Sequence, residues 1–211
     1  MQPFTTLTGK AAPLMIANID TDVIIRINRM GGGAAGTIGH YAFEALRYLE
    51  DGSENPDFVL NQDRYRGAPI LLAGPNFGCG SSREPAVWAL QGLGLRCVIA
   101  ASFGDIFYAN GFQNGLLPIR LPDTVVSGLA AEAAGGDAPM TVDLARQVVV
   151  APSGVEHGFE IDLLRRTALL EGLDDIGLTL KDLAVIEAWQ AADADARPWV
   201  WRLDPAATLR A

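Results

Sequence analysis

Apolar runs alternate with stretches of helical spacing through the middle of the chain. Residues 69–73, Pro-Ile-Leu-Leu-Ala, form a short apolar run closed by Gly74-Pro75 and predict a buried strand. Over residues 83–93, Val87, Leu90 and Leu93 recur near the helical period, with Gly92 and Gly94 as the stop. Residues 97–100 predict the next strand. Residues 105–112, with Ile106, Phe107, Tyr108 and Phe112 before Gly115, predict a second helix, and residues 116–121 a third strand ending at Pro122. Strand, helix, strand, helix, strand in about 50 residues is the pattern of parallel βαβ units. Further on, residues 141–144 and 147–150 alternate like a hairpin turning at Ala145-Arg146. Residues 159–161 add a possible strand, and residues 163–170 and 182–192 look helical. No internal repeat is visible. The glycine run at 31–36 lacks a following Lys-Ser/Thr and predicts a flexible loop, not a phosphate cradle. Gly135-Gly136-Asp137 reads as a linker. Residues 191–196 and the last residues read as a loosely held tail.

Composition narrows the function. The chain has 211 residues, 49% hydrophobic and 19% charged, enough apolar material for one sizeable core. Sixteen basic against 25 acidic residues leave a net charge of −9. That balance speaks against nucleic acid and against an anionic membrane surface, both of which need a basic face. Two cysteines, Cys79 and Cys97, and two histidines, His40 and His157, are too few for a disulfide scaffold or for a self-contained iron–sulfur or structural zinc site. No apolar run reaches the length of a membrane span, and the first ten residues do not resemble a signal peptide. The expectation is a cytoplasmic protein with reduced thiols.

Chemistry concentrates in residues 74–84, Gly-Pro-Asn-Phe-Gly-Cys-Gly-Ser-Ser-Arg-Glu, between a predicted strand and a predicted helix. In an open α/β sheet, ligands bind at the carboxyl ends of strands. Glycines allow close backbone approach, the helix N-terminus offers unpaired N–H groups, and Arg83 adds a fork that fits a carboxylate. An anion site follows, most naturally for a carboxylate. The competing reading is simple helix capping by Ser81 or Ser82. Pro85 favours Ser82 as the cap, which would place the proline at the third helical position and leave Ser81 facing a ligand. Cys79 as a nucleophile would need His40 or His157 beside it, which nothing in the sequence supplies; the alternative is a small buried thiol.

At these residues the chain resembles the small subunits of 3-isopropylmalate dehydratases, in the aconitase superfamily. Five blocks carry the resemblance in order: residues 18–25 (Asn-Ile-Asp-Thr-Asp-Val-Ile-Ile), 55–61 (Asn-Pro-Asp-Phe-Val-Leu-Asn), the hallmark 76–84, 103–108 (Phe-Gly-Asp-Ile-Phe-Tyr) and 172–179 (Gly-Leu-Asp-Asp-Ile-Gly-Leu-Thr). The resemblance implies an α/β fold, a three-layer β/β/α swivelling domain as in the aconitase C-terminal domain. It covers residues 1–195, leaving 196–211 as a tail. It implies a hydro-lyase subunit that isomerises 2-isopropylmalate and 3-isopropylmalate by dehydration and rehydration through 2-isopropylmaleate, in leucine biosynthesis. Activity would require a large subunit carrying a [4Fe–4S] cluster, while this chain binds no cofactor or metal. Carried over residue by residue, Ser81 is the base, and Ser82, Arg83 and Asp22 meet the small dicarboxylate substrate. The stretch Arg26, Ile27, Asn28, Arg29 and Met30 forms the substrate-specificity loop.

Departures from the family pattern fall in that loop, where Arg26-Ile27 replace the usual proline and lysine. Others are Pro85-Ala86-Val87 after the hallmark and Thr167-Ala168 after Arg165-Arg166. They open alternatives: a related dehydratase for methylmalate, dimethylmalate or homoaconitate, or a non-catalytic anion-binding paralogue. Asp22 also has a plain reading as a turn or cap residue, and Arg26 and Arg29 as solvated loop cations. His40 reads as a partly exposed structural histidine and His157 as part of a turn. Trp199 and Trp201 suit either a partner surface or this chain's own core.

Overall fold

The computed structural model describes residues 1–30 and 38–201, so the glycine run at 31–36 and the final ten residues lie outside the described residues. Contacts divide the chain into two units, Met1–Leu173 and Asp174–Ala211. In the first, β1 (Thr6–Gly9) and β2 (Ala11–Leu14) precede two single-turn helices, α1 (Thr21–Ile24) and α2 (Glu44–Arg47). The order then runs β3 (Ile70–Ala73), α3 (Glu84–Gly92), β4 (Cys97–Ala100), α4 (Asp105–Asn114), β5 (Leu117–Arg120) and α5 (Asp123–Gly135). It closes with β6 (Met140–Asp143), β7 (Val148–Val150), β8 (Glu156–Gly158) and α6 (Leu163–Glu171).

Two four-stranded sheets form. One is parallel, in the order β2-β3-β4-β5; the other is antiparallel, β1-β6-β7-β8. Every residue of β3 and β4 is buried, as a parallel sheet covered on both faces requires. Alternation splits them between two cores. Leu71, Ala73, Val98 and Ala100 pack with Ala86, Val87 and Leu90 of α3 and Phe107 of α4. Ile70, Leu72, Cys97 and Ile99 pack with Val126, Leu129 and Ala133 of α5 and with Met140, Val142 and Val149 of the antiparallel sheet. The result is three layers, antiparallel sheet with α5, parallel sheet, and helices, which is the expected β/β/α arrangement. Burial pushes the Cys97 thiol pKa upward and keeps it neutral.

Several local expectations change. The strand expected at 159–161 lies at Glu156–Gly158, because the register pairs Val149 with His157 and Val148 with Gly158. His157 is therefore in a strand and not a turn, and Phe159, whose N still donates to Gln147 O at 2.9 Å, buries its ring in the core. α3 begins one residue later than expected: Arg83 is its N-cap, Pro85 falls in the first two positions, and no side chain caps it. Ser82 is thus not the cap. The shift costs little, since the N–H that proline lacks is still one of the unpaired four.

The second unit holds α7 (Asp175–Thr179), capped by Asp174, then α8 (Leu183–Ala196) and α9 (Pro198–Trp201). Residues 191–196, expected to be loose, complete α8, so a boundary at 195/196 would cut that helix's last turn. Trp201 donates to Asp193 Oδ2 at 2.8 Å. Trp199 and Trp201 remain 70% and 43% exposed, so neither is buried in a core. No described helix is long and apolar enough to cross a membrane.

Candidate active site

Three loops leave the carboxyl ends of β2, β3 and β4 and are stitched together. Asn18 and Asn76 both adopt left-handed backbone, at φ 58° and 59°, a conformation asparagine tolerates. Their side chains pair, Asn76 Nδ2 donating to Asn18 Oδ1 at 2.8 Å. Asn18 N donates to Pro75 O at 2.9 Å, Gly78 N to Ile19 O at 2.7 Å and Thr21 N to Cys79 O at 2.9 Å. On the far side, Phe77 N donates to Ser102 O at 3.1 Å, Gly104 N to Phe77 O at 2.9 Å and Asn76 N to Ser102 Oγ at 2.8 Å. The hallmark segment is therefore held on both flanks.

Below it, the buried Phe77 ring meets Phe107 edge-on at 5.4 Å and Phe103 at 6.4 Å. Gly78, at φ +70°, sits directly on Phe107, so an added Cβ would run into the ring. Gly78→Ala combines that overlap with a left-handed backbone. It should cost about 3 kcal/mol, or roughly 6–12 °C in Tm for a domain of this size, read by thermal denaturation. An unchanged Tm would mean that the loop is not seated as described.

Ser81 and Ser82 are exposed, and among the described residues neither hydroxyl is engaged in a hydrogen bond. The backbone N–H groups of Gly80, Ser81, Ser82 and Arg83 also meet no acceptor among the described residues. Arg83 is different. Its side chain is only 10% exposed and grips Asp22: Nη1 donates to Oδ1 and Nη2 to Oδ2 at 2.8 Å. Nη1 also donates to Ile25 O at 3.3 Å. Three of the five guanidinium N–H groups are engaged in this way, and Nε–H and one Nη2 N–H meet no acceptor among the described residues. Asp22 is 57% exposed and belongs to α1, which Asp20 caps through Val23 N at 2.7 Å. The structure thus brings Ser81, Ser82, Arg83 and Asp22 into one patch and joins the last two directly.

Residues 26–30 form a short 3-10 turn beside this patch. Arg26, Ile27 and Asn28 are exposed. Arg29 is committed elsewhere: it donates to Glu44 Oε1 at 2.6 Å and Oε2 at 3.2 Å and lies over the Tyr41 ring. The hydrogen bond from Arg29 holds the Glu44 carboxyl below the usual carboxylate range. Met30 packs on the core. The sequence reading missed Thr21, which is 1% exposed and whose hydroxyl donates to Ser81 O at 3.0 Å. It also missed Asn18, Asn76 and Ser102. The available signal was asparagine at two sites that need left-handed backbone.

Cys79 is half-buried, and no hydrogen bond joins it to His40 or His157. Among the described residues, no group of three or more His, Cys, Asp or Glu could hold a metal ion. These side chains do not fit an iron–sulfur cluster, and no step of this chain's chemistry is assigned to one bound here.

Comparison with known proteins agrees with this architecture. Residues 1–124 match the model of the aconitase C-terminal domain, and residues 128–162 match LeuD_N. The 3-isopropylmalate dehydratase small subunit of Gluconacetobacter diazotrophicus is 54% identical over 96% of this chain and 99% of its own length. That of Roseobacter denitrificans is 51% identical over 95% of this chain and 100% of its own. A crystal structure of the 3-isopropylmalate dehydratase LeuD from Methanocaldococcus jannaschii aligns with a TM-score of 0.62 at 23% identity. It covers 88% of this chain and 99% of that one, and it shares the fold. A chain with this layering, this hallmark loop and relatives this close over their full length belongs to the 3-isopropylmalate dehydratase small-subunit family of the aconitase superfamily.

Proposed function

We propose that this chain is the small subunit of a heteromeric hydro-lyase that interconverts 2-isopropylmalate and 3-isopropylmalate through 2-isopropylmaleate, in leucine biosynthesis. Relatives at 51–54% identity over nearly the whole chain carry that name, which favours isopropylmalate over another 2-substituted malate. The observation that supports a catalytic role is an exposed Ser81 hydroxyl and four backbone N–H groups that meet no partner among the described residues, beside the Arg83 fork.

The chemistry follows from that patch. Removing a proton α to a carboxylate builds charge on the carboxylate oxygens. Donors fixed in advance where that charge develops stabilise it. The N–H groups of residues 80–83, with the two free N–H groups of Arg83, are such donors. They also favour ionised over neutral Ser81, which as a base must accept the substrate proton on Oγ. Ser82 and Arg83 bind the carboxylate, and Asp22 sets the guanidinium plane. Arg26, Ile27 and Asn28 present the exposed part of the specificity loop to the substrate's alkyl side.

Ser81, Ser82, Asp22 and residues 26–28 are exposed while the Arg83 side chain is nearly covered, and the remaining wall of the site is assigned to the large subunit. A [4Fe–4S] cluster on that subunit would supply Lewis-acid chemistry at the substrate hydroxyl. The proposed compartment is the cytoplasm, where Cys79 and Cys97 would stay reduced. The test is reconstitution. The purified chain alone should form no 2-isopropylmaleate and should gain turnover when mixed with an iron–sulfur large subunit. Turnover by this chain alone would overturn the division of labour.

A further inference from the structure

Resting on that reading of the site, we propose that Thr21 is a positioning residue for Ser81, acting as a two-pronged clamp on the catalytic loop. Thr21 is one of few buried polar side chains in the described residues, at 1% exposure. Its backbone N–H donates to Cys79 O at 2.9 Å and its hydroxyl to Ser81 O at 3.0 Å. The two bonds straddle Gly80, whose φ of +93° makes it the residue where the loop turns. A Gly80 Cβ position would lie 3.6 Å from Thr21 Oγ1, so the hydroxyl sits inside the bend.

What makes the contact functional is its isolation. Among the described residues, the Thr21 hydroxyl makes the one hydrogen bond that reaches the backbone of residues 80–82. Behind them the loop is fixed by Phe77 and the Gly78 bond, and ahead of them α3 begins at Glu84. Between those anchors lie the base and the four N–H donors, in a stretch with a glycine at its hinge. Backbone freedom at Gly80 would swing Ser81 Oγ and the donors together, and catalysis is sensitive to misplacement on the ångström scale. Thr21 is itself held: its N–H is spent on Cys79, and the adjoining Asp20 caps α1. The clamp therefore transmits the rigidity of α1 to Ser81.

Thr21→Val keeps the side chain's shape and removes the donor, and Thr21→Ser keeps the donor and removes the methyl. In the reconstituted enzyme, Thr21→Val should lower kcat about tenfold, and Thr21→Ser should recover most of that loss. In the isolated chain, backbone amide order parameters at residues 80–82 should fall in Thr21→Val from rigid values toward about 0.6 and return in Thr21→Ser, while those of β3 and α3 hold. Unchanged order parameters, unchanged kcat, or a serine variant as impaired as the valine would each overturn the clamp. Absence of turnover in the parent pair would instead reject the functional reading, and the order parameters would still decide whether the clamp exists.

Discussion

Ser81→Ala in the reconstituted enzyme is expected to lower kcat by about 10³-fold, within the range that a positioned general base contributes. The Ser81 side chain is exposed and its hydroxyl has no partner among the described residues, so its removal leaves no buried group there unsatisfied. Stability should therefore stay within the narrow range of a surface substitution, about 0.5 kcal/mol either way, or roughly 1–2 °C in Tm. That separation makes the measurement decisive: a large loss of turnover at constant Tm cannot come from a damaged fold. KM should change little, because Ser82, Arg83 and the backbone donors remain to hold the carboxylate. Unchanged turnover would assign the base to another group, within this chain or on the large subunit.

The parallel half of this fold was legible because both of its signals are local. Strands β3 and β4 are continuous apolar runs, as burial on two faces demands, and Gly115 closes α4 in left-handed backbone at φ 81°. β1 and β2 were not legible. At four residues each, separated only by Lys10, they serve two different sheets, and that assignment depends on partners far along the chain. α5 was missed because its alanines and glycines give a weak stripe; only packing against the parallel sheet reveals Val126, Leu129 and Ala133 as one face. At the site, residue types carried Ser81, Ser82, Arg83 and Asp22 into view. The pairing of Arg83 with Asp22 was not visible, because 61 positions separate them and the stitching of two loops brings them together. Arg26 and Arg29 look equivalent in sequence, and only the position of Glu44 tells them apart.

Arg83→Lys is the second substitution with a large expected effect: a fall in kcat/KM of about 10²-fold, of the order lost when one preorganised transition-state donor is removed. Lysine keeps the charge but not the fork. Arg83 meets Asp22 through both terminal nitrogens and Ile25 O through one of them, so its plane is fixed before any substrate arrives. An ammonium donates from a single nitrogen and cannot reproduce the flat two-nitrogen fork, so the fixed plane and the two N–H groups left for a substrate carboxylate are lost. The Asp22 carboxylate does double duty, orienting the guanidinium while partly cancelling its charge. Asp22→Asn should therefore reduce kcat/KM by less than Arg83→Lys, since loss of orientation is offset by a less neutralised cation. The two changes act on one pair, so the double variant should be little worse than Arg83→Lys alone. Strictly additive losses, measured as kcat/KM for all four forms of the reconstituted enzyme, would show that Arg83 and Asp22 meet the substrate independently and that their contact here has no part in catalysis.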